Sequence, residues 1–109
     1  METKINRLNE LQPNQKNVFV NNVTVVETSE IIEKEIKGEK VMICTGKIID
    51  ESITEPLLIT AWGHATQFLF GSKAISLENC FAKLYENKEE GISRIEISTG
   101  KYGIIVKIR

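Results

Sequence analysis

The chain has 109 residues, 41% of them apolar, which suits one domain, residues 1–109, with one core. Lysine and arginine number 14 against 15 acidic residues, a net charge of −1 with histidine neutral, so the basic surplus of a strong nonspecific DNA binder is absent. No apolar run is long enough to cross a bilayer, and the start Met1-Glu2-Thr3-Lys4 has no apolar signal region, so an intracellular protein is expected (cytoplasmic, or nuclear in a eukaryote) with no membrane partner.

In chain order, Ile5, Leu8 and Leu11 recur at spacings of three, which predicts a short helical turn or a capping segment. Gln12-Pro13-Asn14-Gln15 reads as a turn, with proline fixing one backbone angle. Residues 17–27 are rich in valine and predict a long first strand, with Asn21-Asn22 marking a bulge or bend. From Ser29 to Lys40 charges alternate around Gly38. The Glu/Lys spacing argues for a helix, but strand-forming runs on both sides favour a hairpin loop. Lys40 to Asp50 predicts a second strand, residues 50–56 a turn, and Leu57 to Trp62 a third strand that Pro56 introduces. Gly63 ends it, and His64 to Phe70 predicts a short helix whose Phe68 and Phe70 plug the bottom of a barrel. Ile75 to Tyr85 is the fourth strand, residues 86–91 a polar loop, Ile92 to Ser98 a fifth strand, Thr99-Gly100-Lys101 a turn, and Tyr102 to Ile108 a last strand.

Five or six mostly antiparallel strands with a short helix after the third describe an all-β, five- to six-stranded Greek-key barrel of the OB-fold (oligonucleotide/oligosaccharide-binding) type. Cys44 and Cys80 fall on predicted strands without CxxC spacing, and two buried reduced thiols are expected in preference to the alternative, a structural disulfide, since intracellular thiols usually stay reduced.

The informative residues are aromatic. Alternate residues of a strand share a face. Leu57, Ile59 and Ala61 are core-like, which leaves Leu58, Thr60 and Trp62 on the other face. Cys80, Ala82 and Leu84 are likewise core-like and leave Phe81, Lys83 and Tyr85 outward, two rings flanking an ammonium. Flat rings beside positive charge suit an unpaired nucleic-acid strand, because every base has a stacking face and every nucleotide a phosphate. Lys37, Lys40 and Lys47 lie on or near the loop and strand that would border such a groove. Tyr102, beside Lys101, is open to either rim packing or ligand contact.

Nothing suggests catalysis. His64 is the only histidine and reads as a surface residue at a helix start. Two separated cysteines and one histidine supply no metal site, no nucleophile–base pair stands out, and the phosphate-loop glycine pattern is missing. A non-enzyme without cofactor or metal is expected.

Several segments together carry a resemblance: Leu11-Gln12-Pro13-Asn14, residues 23–30, Ile59-Thr60-Ala61-Trp62-Gly63, and Glu78-Asn79-Cys80-Phe81-Ala82-Lys83-Leu84-Tyr85. Over roughly residues 5–108 the chain resembles the small single-OB-fold single-stranded DNA-binding proteins of archaea, close to the eukaryotic single-strand sensors and the replication protein A domains. The resemblance implies base stacking on Trp62, Phe81 and Tyr85. It departs from the family pattern at residues 50–56, which lack the usual turn glycine, and in the acidic loop Glu86, Glu89 and Glu90. The expected function is binding of single-stranded DNA, or RNA, with little sequence preference, at Trp62, Phe81, Tyr85, Lys83, Thr60, Lys37, Lys40 and Lys47. The alternative is a protein-interaction subunit of a larger replication, repair or telomere-type complex.

Overall fold

The computed structural model describes residues 3–108; Met1, Glu2 and Arg109, which the polar start and the 1–109 domain span include, lie outside them. Among the described residues eight strands form one sheet: β1 (Thr3–Ile5), β2 (Val18–Thr28), β3 (Ile32–Ile36), β4 (Glu39–Ile49), β5 (Leu57–Trp62), β6 (Ala74–Asn87), β7 (Ile92–Ser98) and β8 (Ile104–Lys107), with helix α1 (Ala65–Leu69) between β5 and β6. Five of them close a ring in the order β2-β4-β5-β7-β6 and back to β2, with β5 and β7 parallel and the other pairs of the ring antiparallel. The expected Greek-key barrel with a helix after its third strand is thus present. Strands β1, β3 and β8 are additions, on β2, β4 and β6 respectively.

The core fills the ring. Ile48, Ile59, Ile75, Leu77 and Ile97 are almost wholly buried, and Leu69 of α1 closes one end. The opening segment makes a single 3-10 turn, Leu8–Glu10, and Ile5, Leu8 and Leu11 are buried as a cap. Asp50 holds that cap in place, its carboxylate accepting the Leu8 N–H at 2.8 Å. Cys44 and Cys80 are buried free thiols, and burial, the largest influence on it, pushes the Cys80 thiol up to about 12.

Two asparagines set which residues face outward. Val20 pairs with Leu77 and Val18 with Cys80, so β6 carries one extra residue there, and Asn79 takes it up with φ 55°. The bulge resets the alternation: Ile75 and Leu77 point inward before it, Cys80 and Ala82 after it. Without it Phe81 would share the parity of Leu77 and enter the core. Asn22, φ 56°, does the same for β2, where Val20 and Val23 are both buried. Asparagine suits the left-handed region better than other side chains do, and β-branched residues suit it least. Asn79→Val should therefore lower stability by about 1–2 kcal/mol, and Asn79→Gly should be close to neutral. Equal urea midpoints for wild type and Asn79→Val would contradict this account.

The structure corrects four expectations. Residues 29–40 are neither a loop nor a helix: Ile32–Ile36 is a strand, joined to β4 by a two-residue turn at Lys37 (φ 51°) and Gly38 (φ 81°). Positive φ at both positions matches the twist of a tight hairpin, and the charges fall on exposed strand faces, where period-two alternation is as natural as helical spacing. Phe68 and Phe70 do not plug the barrel; each is 45% exposed, and the helix buries Ala65, Thr66 and Leu69 instead. Leu84 has core parity but is 39% exposed, because β6 and β7 run past the barrel there as a two-stranded arm. The last strand starts at Ile104, so Tyr102 lies in the turn before it.

Candidate functional site

The outward face is built row by row from the strand registers. Thr45, Thr60, Ser98 and Phe81 lie side by side across β4, β5, β7 and β6. Lys47 faces Leu58, and Lys83 faces Glu96, one row further; Tyr85 faces Arg94 beyond that. Trp62 lies on the other side of the first row, opposite Ile43.

A short turn fixes both leading rings. The Trp62 indole N–H donates to Ser98 Oγ at 3.2 Å, and the Trp62 backbone N–H donates to Thr99 Oγ1 at 3.0 Å. Ser98 Oγ also accepts the Gly100 N–H at 3.1 Å. Gly100, at φ 56°, lies so close under Phe81 that a Cβ there would come within 2.6 Å of the ring. Glycine is required at that position both for its backbone angle and for the ring's seat. Trp62 and Phe81 are half-buried and held on either side of Ser98.

The remaining expected residues divide. Thr60 is in the central row, half-buried. Lys83 Nζ lies 5.9 Å from the Phe81 ring centroid, but it is not sandwiched between two rings. Tyr85 instead stacks under the Arg94 guanidinium, 4.6 Å from its centroid, about 13 Å along the strand from Phe81 at the usual rise. Lys47 borders the face but is bound to Glu27 at 3.1 Å. Lys40 has the parity of Met42 and Cys44, opposite to Thr45 and Lys47, and pairs with Glu33 at 3.7 Å. Lys37 is at the tip of the β3–β4 turn. The outward face is electrically mixed, since Glu96 sits in its middle with Arg94 Nε 2.9 Å from its carboxylate.

Beside Phe81 the face drops into an open cleft of about 500 Å³. Its walls are residues 14–17, Asn79–Lys83, and the turn carrying Thr99, Lys101 and Tyr102. Residues 14 and 15 are tied to β6 by backbone bonds, Asn14 N–H to Ala82 O at 3.1 Å and Ala82 N–H to Gln15 O at 2.9 Å. Neither Lys16 nor Lys101 is among the binding residues expected from the sequence. Adjacency of Lys101 to Tyr102 was the available signal; no pattern links either to Lys16. Among the described residues no group of three or more His, Cys, Asp or Glu could hold a metal ion, and no helix is long and apolar enough to cross a membrane.

No family model and no curated protein matches the sequence. Among solved structures, the OB domain of Ta0387 from Thermoplasma acidophilum, a solution NMR structure, is similar with a TM-score of 0.59 at 15% identity, covering 98% of this chain and 89% of that one. The chain has an OB-fold. In OB-fold terms β2, β4, β5, β6 and β7 are the five barrel strands, the β3 hairpin lies in the loop between the first and second, and the acidic loop 88–91 joins the fourth and fifth.

Proposed function

We propose that this OB-fold binds single-stranded nucleic acid, DNA foremost, with little sequence preference, in the manner of the small single-OB-fold single-stranded DNA-binding proteins that its motifs resemble. The observation that carries the reading is the pair Trp62 and Phe81, locked on either side of Ser98 on the outward face of β5, β7 and β6. OB-folds use the face of their second and third strands, here β4 and β5, with the adjoining loops. Bases stack on Trp62 and Phe81, and Tyr85 with its Arg94 partner extends the platform along the arm. Thr60 contributes a hydroxyl between the rings, and Lys83 meets a phosphate. Lys47 and Lys37 lie at the border, while Lys40 faces away and is the weakest candidate.

Trp62 is the only tryptophan, so its fluorescence reports one site. Oligo-dT should quench it saturably. Single strands lose about 0.7 in the slope of log affinity against log salt per neutralised phosphate, so three or four lysine contacts give roughly −2 to −3. Lys83→Glu should weaken binding far more than Lys88→Glu in the acidic loop. Saturable binding without any change in emission would remove Trp62 from the site, and equal effects of the two reversals would mean diffuse attraction without a groove.

A second reading, a protein-interaction subunit, has its own observation. Among the described residues β8 pairs only with β6 and leaves an open edge. Ile104, Val106 and Ile108 are 52%, 42% and 38% exposed there, and with Phe68 they line an open groove. The charged residues lining it are Lys73 and Lys107, both cationic. Two copies meeting at this edge would bring like charges together, so the matching occupant is an extended apolar segment with acidic flanks. No oligo-dT binding even at low salt, with protection of β8 amides by such a peptide, would favour this reading.

A further inference from the structure

On the outward face Lys47 is paired with Glu27 and Arg94 with Glu96; Lys40, on the opposite face, is paired with Glu33. Lys16, Lys83 and Lys101 are in no ion pair among the described residues, and all three line the cleft beside Phe81. No carboxylate is among the residues lining that cleft. In a chain of net charge −1 this is a local concentration of positive charge around a concave part of the surface, where a potential is focused. Rings accompany the charge. Tyr102 is 74% exposed, with Lys101 Nζ 5.8 Å from its centroid, and Phe81 forms the wall shared with the outward face.

We propose that this cleft is a second subsite, which takes one nucleotide of a single strand as it leaves the Trp62–Phe81 platform. The base lies against Tyr102 and the Phe81 edge, and its phosphate sits between Lys16 and Lys101. This rests on the single-strand reading above and adds a site to it. The volume, about 500 Å³, is in the range of small-molecule sites. The walls are fixed before any ligand arrives: residues 14 and 15 are bonded to Ala82, and the Gly103 N–H donates to Thr99 O at 2.7 Å, closing the turn that bears Lys101 and Tyr102. Asn14 and Asn79 are among the residues lining the cleft, and an asparagine amide can both donate to and accept from a base edge. The lysines attract any phosphate, whereas the platform offers mainly stacking, so the cleft supplies most of the salt dependence.

The test uses the whole chain with oligo-dT and reads affinity across a salt series. Tyr102→Ala should weaken binding about tenfold, within the span found when a stacked ring is removed, and Tyr102→Phe should restore most of it. Lys16→Glu and Lys101→Glu should each make the salt slope shallower by about 0.7, one phosphate contact apiece, while Lys88→Glu leaves it unchanged. Tyr102 and both lysines are exposed, so the thermal melts of these variants should overlay that of the wild type. If all three variants bind with wild-type affinity and slope while Phe81→Ala does not, the second subsite falls and the platform reading stands. If the wild type does not bind oligo-dT at low salt, both fall.

Discussion

Replacing Phe81 by alanine should weaken oligo-dT binding by roughly 5- to 150-fold, the equivalent of about 1–3 kcal/mol for one stacked base. Phe81 is placed to have the largest effect of any ring. It is the wall common to platform and cleft, and its seat on Gly100 holds it in one orientation. A fixed ring loses little freedom on binding, so its stacking is not offset by ordering. The same change should move the melting temperature by only a few degrees, since Phe81 points away from the core. Fluorescence titration beside a thermal melt decides the matter. A variant that no longer folds would mean that the ring's main duty is structural, with Asn79 bulging β6 for packing and not for display.

The opposite pattern is expected at Ile59. It is wholly buried at the centre of β5, one residue before Thr60 and on the other side of the sheet. Truncation to alanine removes core contacts and leaves a cavity, at a cost of about 2–5 kcal/mol. A domain of this size has about 5–15 kcal/mol in total, so Ile59→Ala should unfold roughly 10–25 °C earlier, at about 5 °C per kcal/mol. Below that temperature the folded fraction should bind oligo-dT as the wild type does. Loss of affinity in the fully folded variant would show that β5 does not separate its two faces, and the parity argument for Trp62 would fail with it.

Neighbouring residues with opposite expected effects trace back to alternation along one strand, and that much was readable from residues alone. Pro56 and Gly63 bracket β5, its apolar inner set Leu57, Ile59 and Ala61 differs in kind from Thr60 and Trp62, and the third-strand assignment matches Leu57–Trp62 at both ends. The valine-rich first strand with its asparagine bulge and the glycine at the β3–β4 turn were legible for the same reason: period, breakers and left-handed residues act within a few positions. The β3 strand was hidden because its Glu/Lys alternation fits helix, loop and exposed strand alike, and only pairing with β4 distinguishes them. Phe68 and Phe70 were misplaced because a five-residue helix is too short for its periodicity to tell which side meets the barrel; packing chose Leu69.

By itself, then, the sequence determined the barrel strands, their breaks, and which side of β5 and β6 carries the rings, because those properties are local. Three-dimensional closure decided what surrounds the rings. The parallel pairing of β5 with β7 brings Ser98 to the Trp62 indole, and the seam of β6 with residues 14–15 brings Lys16 to the turn at Lys101 and Tyr102. It also decided which lysines are neutralised, since Lys47 meets Glu27 only when β2 and β4 pair. Stacking potential resides in single residues and follows strand parity. Electrostatic potential sums over groups distant in the chain, and those are assembled only when the ring closes.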